Sequence, residues 1–514
     1  MGFSILRTND ELRHWRNAQK FDLYFVPTMG ALHKGHSELI KAAHNFDEAK
    51  PISVLTSVFV NPLQFAPGED FKKYPRNFQK DCKVAQESGS SAIWSPSIQD
   101  IFPENEKSLS KTNARDNLAS SLCGLSRPGH FEGVVNVVER LLTLVKPEVL
   151  VLGEKDWQQL LIIRELIKDL KLPLKVRGVK TFREKDGLAF SSRNSYLTAK
   201  ERQKALAIPR LLAQAEKEFK SSKKIKLQEW RKRLNQEGLE VEYLELVDPW
   251  TLQTAQKSHT ISLLAAAVKC GKTRLIDHKF LMERKPIVAI DGPAGAGKST
   301  VTKIFAKKVG LLYLDTGAMY RAVTWFIQQK GIDPKNKNEV KDAIQMLQLE
   351  LNLNQSGSQS ILVDGKDVSE DIRSQSISNI VSEIAKQEAV RKVLTTHQKS
   401  LGINGGLVAE GRDIGSTVFP DAELKIFLTA TTKERARRRY EDLKNRGYTH
   451  DSIEEIETQI RQRDEIDRTR EISPLIKSHD AIELVTDGMN IEKVVDSIAD
   501  LFKEKVPQEV WPSN

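Results

Sequence analysis

Two histidines stand three residues apart in PTMGALHKGH: His33 and His36, with Gly35 between them. Imidazoles behind a strand can donate hydrogen bonds to an α-phosphate as charge builds in its pentacovalent transition state. That chemistry ends in loss of pyrophosphate. Far along the chain, Gly292 to Ser299 satisfies the phosphate-loop pattern G-x-x-x-x-G-K-[ST]. The N–H groups of such a loop, through Gly292, Gly295, Gly297 and Thr300, cradle a triphosphate. Lys298 would bridge the β- and γ-phosphates, and Ser299 would reach Mg²⁺. This second device suits transfer of a γ-phosphoryl group. One chain carrying both reads as two enzymes in tandem.

Each device needs a strand before it and a helix after it. FDLYFVPT (21–28) reads as a strand, and HSELIKAAHNF (36–46) as the helix that follows. His36 is thereby expected at a helix N-terminus, where free N–H groups and the helix dipole favour anions. Gly30 and Gly35 let the backbone approach phosphate closely. ISVLTSVFV (52–60) and EVLVLG (148–153) are further strands, the latter ending at the GEKD turn before a helix over 158–170. The alternation predicts α/β architecture with a parallel sheet. From about 180 the character changes to an amphipathic helix over 200–220, a charged connection at 220–226 and two or more strands ending near His278. IVAI (287–290) opens a new strand, and Val301, Ile304, Phe305 and Val309 recur at helical spacing after the loop. NLNQSGSQS (352–360) reads as a hairpin tip. The expected domains are 1–178, 179–278 and 279–514, with no long flexible linker between them.

Composition excludes several classes. At 514 residues and 39% hydrophobic content the chain can bury real cores. The formal charge of +10 would suit nucleic acid or small anions. Basic residues alternate with acidic ones instead of forming a tail, which favours small anionic substrates over nucleic acid. Cys82, Cys123 and Cys270 are widely spaced, with no CxxC pair. They support neither a disulfide framework nor a cysteine zinc site, and fit a reducing cytoplasm. No apolar run is long enough to span a bilayer, and no signal peptide is visible.

PTMGALHKGH, FVNPLQF (59–65), YPR (74–76), SRPGHF (126–131), GEKDWQQ (153–159) and SSRN (191–194) occur in that order. Together, from residue 1 to about 278, they resemble pantothenate synthetase (pantoate–β-alanine ligase), a HIGH-type nucleotidylyltransferase with a Rossmann-like domain and a small C-terminal lobe. The resemblance implies that pantoate attacks the α-phosphate of ATP, and that β-alanine then attacks the pantoyl adenylate. By position, His33 and His36 would contact phosphate, with His36 as the acid. Met29, Gly30, Ala31, Leu32, Lys34 and Gly35 would line the ATP loop. Gly153, Glu154, Lys155 and Asp156 would follow, Lys155 at the α-phosphate and Asp156 at the ribose. Ser191, Ser192 and Arg193 would hold the outer phosphates, with Phe182 and Phe190 near the nucleotide. Gln64 and Gln159 would bind pantoate, with Gln64 also reaching β-alanine, and Asn61 would support that pocket. Arg127 and His130 are either substrate-adjacent or structural. Trp157 replaces a smaller aromatic. The family is commonly dimeric through this first half.

LDTGAMYR (314–321), a helix around Ser382 to Arg391, AEGRDIG (409–415), KIFLTA (425–430) and RQRDEIDRTR (461–470) follow the phosphate loop. From about 284 onward they resemble bacterial cytidylate kinase, a P-loop nucleoside monophosphate kinase with a parallel sheet, a nucleotide-acceptor region and a lid. The resemblance implies phosphoryl transfer from ATP to CMP and dCMP. Thr316 and Arg321 would lie near the acceptor phosphate and sugar, and Ser382 at the cytosine edge. Arg391, Arg412 and Arg470 would hold acceptor phosphate or transition state. Asp413 and Asp467 would meet cytosine or sugar, and Arg463 would be the lid arginine on the transferred group. Convergent arginines suit this chemistry, which is mainly positioning and charge stabilisation. ERARRRY (434–440) is a solvated helix face, unless Arg435 or Arg438 touches ATP. Two rivals stand beside this reading: another HIGH-type adenylyltransferase fused to a different monophosphate kinase, and a decayed nucleotide- or RNA-binding protein.

Overall fold

Runs such as Leu23–Val26 and Val149–Leu152 are apolar on successive residues, as strands buried on both faces require. In the computed structural model they form adjacent interior strands of one parallel sheet. The structure describes residues 2–46, 50–103, 116–222, 225–255, 260–353, 359–445 and 452–512. The chain divides into two units: Met1–Glu283 with Pro507–Glu509, and Arg284–Val506 with Val510–Asn514.

The first unit holds β1 (Ser4–Leu6), β2 (Asp22–Thr28), β3 (Ile52–Val58), β4 (Ala92–Trp94), β5 (Val149–Gly153) and β6 (Lys175–Val179). Their order is β1-β4-β3-β2-β5-β6, every pair parallel. After β2 the chain moves to one side, towards β3; after β5 it moves to the other, towards β6. The crevice between the carboxyl ends of β2 and β5 is therefore a topological switch point, where ligands bind in open α/β sheets. The histidine turn leaves β2 and the GEKD turn leaves β5 at this place. An antiparallel sheet of β7 (Glu240–Val247), β8 (Ile261–Cys270) and β9 (Thr273–Met282) forms the smaller lobe. Its core packs Leu264, Ala266 and Val268 against Leu212, Phe219 and Trp230.

Several expected boundaries move. β9 runs through residue 278 to Met282, because the hairpin pairs Ile261 with Met282. The amphipathic run at 200–220 forms two helices, Ala199–Ala205 and Ala207–Ser222, the second carrying Pro209 in its first turn. There Pro costs no hydrogen bond. The helix after the histidine turn begins at Lys34, not at His36.

The second unit carries β10 (Ile287–Asp291), β11 (Leu312–Asp315), β12 (Leu349–Leu353), β13 (Gln359–Val363), β14 (Lys366–Asp367), β15 (Leu407–Gly411), β16 (Leu424–Thr429) and β17 (Ile482–Val485). The parallel sheet has the order β11-β15-β10-β16-β17, so the phosphate-loop strand β10 is central. β12, β13 and β14 form a small antiparallel sheet. Residues 354–358 of the expected hairpin tip lie outside the described residues; the flanking strands pair antiparallel. The expected helix across Ser382 to Arg391 is two helices, Gln375–Ala385 and Glu388–Leu401. Thr432–Asn445 and Ile453–Thr469 form the helix pair that carries the arginine-rich segments.

Candidate active sites

His33 is the N-cap of the helix Lys34–Asn45. Its Nδ1 accepts the Gly35 N–H at 3.1 Å, while Nδ1 of His36 accepts the His33 N–H at 3.3 Å. Both Nδ1 atoms are acceptors, so the ring proton of each neutral imidazole sits on Nε2. Burial, then the Lys155 ammonium, pushes His33 down to about 4. Burial, then His33 and Lys155, pushes His36 down to about 3. The pair, with ring centroids 4.1 Å apart, offers two neutral Nε2–H donors.

A cleft of about 270 Å³ opens over these rings. Met29, His33, Gly35, His36, Asn61, Gln64, Gly153, Lys155, Asp156, Gln159, Phe182, Phe190, Ser191, Ser192 and Arg193 all line it. Residues separated by more than 160 positions thus meet at one crevice. Arg193 holds Asp70 through Nε and a terminal nitrogen at 3.0 and 2.9 Å. Ser192 meets the Tyr74 hydroxyl at 3.1 Å. Gln64 donates to the Met29 sulfur at 2.9 Å and lies 3.3 Å from the Asn61 amide. Asn61 is buried and also donates to the Gly133 carbonyl, so it braces Gln64 from below. Thr181 lines the same cleft with a buried hydroxyl that has no protein partner among the described residues.

Five expected ATP-loop residues do not line this cleft. The Gly30 N–H is spent on the Thr28 hydroxyl, and the Ala31 and Leu32 N–H groups on the Asp81 carboxylate at 3.1 and 2.7 Å. Those amides are not free to bind an anion. Lys34 is exposed beyond the rim, and Glu154 is buried, with burial pushing its carboxyl up to about 7. Asp81 has no counterpart among the sequence candidates. It is a lone acidic residue on a helix 50 positions from the turn it secures, and nothing in its local pattern marks it.

The second unit has its own cleft of about 370 Å³ around the phosphate loop. Gly295, Gly297, Lys298, Ser299, Thr300, Thr316, Arg321, Ser382, Arg391, Arg412, Asp413, Arg463, Asp467 and Arg470 line it. Gly292 does not, but it makes the turn: φ is +152°, and a Cβ would lie 2.0 Å from the Leu428 carbonyl oxygen. Lys298 is buried and donates to the Gly292 and Pro293 carbonyls, both at 2.8 Å. Burial, then Arg412, pushes its pKa down.

Most arginines here already hold carboxylates. Arg391 pairs with Asp413, Arg412 with Asp467 at 2.9 Å, and Arg321 with Asp315 at 2.9 Å. Asp413 and Asp467 are therefore first of all arginine partners. Arg463 differs. Among the described residues its buried Nε has no hydrogen-bond partner, and burial, then Arg412, pushes its pKa down to about 10. Thr316 lines the cleft, and its hydroxyl donates to the Glu410 carbonyl at 2.6 Å, which leaves its oxygen as an acceptor.

Among the arginines of ERARRRY, Arg439 lines the cleft. Arg435 is buried, bidentate to Asp464, and donates to the Ala294 carbonyl at 2.9 Å, bracing the phosphate loop from behind. Arg438 bonds Glu434 and Thr486. Glu410, at the end of β15 beside β10, was not among the sequence candidates. It accepts the Tyr313 hydroxyl at 2.6 Å, and its carboxylate stands beside the Ser299 hydroxyl of the phosphate loop. Burial, then Asp315, pushes its carboxyl up. Its signal was an acidic residue ending an apolar strand. Asp291 accepts the Ile414 and Gly415 N–H groups at 2.8 and 2.7 Å, tying the GRDIG turn to β10.

Two families match the two units. Pantoate-beta-alanine ligase matches residues 4–280, and Cytidylate kinase matches residues 288–504. A protein named bifunctional pantoate ligase/cytidylate kinase from Prochlorococcus marinus (strain MIT 9313) is 56% identical, over 98% of this chain and 99% of its own. One of the same name from Prochlorococcus marinus (strain NATL2A) is 52% identical over 99% of each chain. A third, from Parasynechococcus marenigrum (strain WH8102), is 53% identical over 99% of each. With both families represented in order and relatives matched end to end, the chain belongs to the bifunctional pantoate ligase/cytidylate kinase family.

Proposed function

We propose that each unit runs one ATP-dependent reaction. In the first, a carboxylate oxygen of pantoate attacks the α-phosphorus of ATP and pyrophosphate leaves. The amine of β-alanine then attacks the acyl carbon of pantoyl adenylate, AMP leaves, and pantothenate is released. The paired Nε2–H donors of His33 and His36, with Lys155, supply preorganised stabilisation where negative charge develops. Gln64 and Gln159 orient pantoate. Asp156 meets the ribose, Ser191, Ser192 and Arg193 meet the outer phosphates, and the unsatisfied Thr181 hydroxyl suits a polar edge of the base. The observation that carries this reading is the convergence of the β2 and β5 turns at a single switch-point cleft.

In the second unit the γ-phosphoryl group of ATP passes to a phosphate oxygen of CMP or dCMP, giving ADP and the diphosphate. Lys298 turns from its carbonyl partners to the β- and γ-phosphates. Arg463 takes the transferred group, while Arg391, Arg412 and Arg470 hold the acceptor and Ser382 reads the cytosine edge. Ser299 and the adjacent Glu410 carboxylate would hold Mg²⁺, which would neutralise charge on the β- and γ-oxygens. The same reading places the chain in the cytoplasm, with a homodimer through the first unit that sedimentation of the intact protein tests.

Two assays on the intact chain decide the matter. One follows AMP and pyrophosphate with pantoate and β-alanine; the other follows ADP with CMP, dCMP, UMP and AMP. Faster phosphorylation of UMP or AMP than of CMP would replace the kinase assignment. Pyrophosphate release independent of pantoate would remove the ligase assignment.

A further inference from the structure

Gln64 sits on a short turn after β3, and a second segment, Arg127–Gly133, grips that turn from outside. Gly133 lies so close that a Cβ would fall 2.3 Å from the Leu63 carbonyl oxygen. Arg127 spreads its fork over three partners. Nε and one terminal nitrogen donate to Glu69, each at 2.7 Å, and that same terminal nitrogen lies 3.3 Å from the Gln64 carbonyl. The other terminal nitrogen is 2.9 Å from Nε2 of His130.

A guanidinium only donates, so Nε2 of His130 must accept. The ring proton then sits on Nδ1, which is 2.8 Å from the Gln64 carbonyl oxygen and donates to it. One arginine thus selects the tautomer of a histidine whose other nitrogen holds the backbone of Gln64. Burial, then the Arg127 charge, pushes His130 down to about 4, so the ring stays neutral at ordinary pH. Burial works against the Glu69 carboxylate, yet its bonds to Arg127 keep its pKa below the usual range. The Gln64 side chain, held by Asn61 and Met29, therefore starts from a backbone pinned by two N–H donors.

We infer that Glu69, Arg127 and His130 form a positioning relay for the pantoate site, in which His130 acts as an Nδ1–H donor to the Gln64 carbonyl. The inference rests on the reading that Gln64 binds pantoate. It makes Arg127 and His130, which both line the cleft, positioning residues that act through Gln64.

Three substitutions separate these roles. His130→Asn places an amide N–H close to the Nδ1 position, His130→Gln places one close to Nε2, and His130→Ala supplies neither. Steady-state pantothenate synthesis is measured with pantoate and ATP varied in turn. The first unit's thermal unfolding transition, kept at the wild-type temperature, shows that this unit is folded in each variant. Loss of one hydrogen bond at this site is expected to raise the pantoate KM about tenfold in His130→Ala and His130→Gln, with the ATP KM within about twofold. His130→Asn is expected to recover most of the wild-type value. Equal impairment in all three variants, an unchanged pantoate KM in His130→Ala, or an ATP KM that rises in step would overturn the relay. A long-range ¹H–¹⁵N imidazole spectrum of the wild-type protein provides a readout free of folding effects. The resonances that His130→Asn removes should report a proton on Nδ1, and a proton on Nε2 refutes the inference. If the wild-type protein makes no pantothenate, the ligase reading fails. If it does and the variants show no such ranking, only the relay fails.

Discussion

At the scale of single residues, chemistry here depends on which atom carries a proton or a charge. The N-capping geometry of His33 and His36 fixes both protons on Nε2, and burial keeps both rings neutral. His36→Ala should lower pantothenate formation by about 10²–10³, the usual cost of one preorganised donor, and leave CMP phosphorylation near wild type. Lys298→Ala should do the reverse. A paired assay on each purified variant checks both. Arg463 makes a different prediction, because its charge is buried beside other cations without a carboxylate bonded to it. Arg463→Met should lower the CMP phosphorylation rate by about 10²–10³ while the ligand-free protein unfolds at an equal or higher temperature. Differential scanning calorimetry beside the kinase assay tests this; a lower unfolding temperature in the absence of nucleotide would contradict it.

At the scale of elements, two turns carry the sites, and each is held by a residue distant in sequence. Asp81 accepts two N–H groups of the PTMGAL turn from a helix 50 positions away. Asp81→Ala would strand the buried Leu32 N–H, at about 1–3 kcal/mol, and leave the half-buried Ala31 N–H to water. The expected result is a lower unfolding temperature for the first unit and a raised ATP KM in pantothenate synthesis. On the other unit, Gly292→Ala would drive a methyl group to 2.0 Å from the Leu428 carbonyl. Loss of CMP phosphorylation with pantothenate synthesis retained is the expected outcome of that single methyl. The first of these anchors was invisible in the sequence, because an acidic residue on an amphipathic helix has no local signature. The second was visible as part of a spaced glycine pattern. The same distinction explains Arg435 and Arg439: adjacent turns of a basic helix look alike in sequence, and packing alone sends Arg435 inward to Asp464 and Arg439 to the cleft.

At the scale of the whole molecule, buried neutral histidines couple folding to pH. His33, His36 and His130 are held at about 4, 3 and 4, below the ordinary value of 6.5. Each binds fewer protons folded than unfolded between its lowered value and 6.5. Their contribution to stability is therefore fully present above pH 6.5, and it falls as pH drops from there toward 3–4. Denaturant titrations of the first unit's transition from pH 7.5 to 4.5 should show that decline. His33→Asn combined with His130→Asn should flatten it.

The amino-acid order determined the two phosphate chemistries, the α/β class and most of the charged and phosphate-loop residues that line the two clefts. Glycine spacing, imidazole pairs and basic residues beside strand ends are local patterns with local physical causes. Tertiary structure decided what those residues can do once assembled. It put the β2 and β5 turns at one switch point and spent the amides of Gly30, Ala31 and Leu32 on Thr28 and Asp81. It also turned the Thr316 hydroxyl to a carbonyl, left Arg463 Nε without a hydrogen-bond partner among the described residues, and set the tautomer of His130 through Arg127. Protonation, desolvation and hydrogen-bond partnership belong to neighbours in space, and a linear order of residue types does not contain them until the chain has folded.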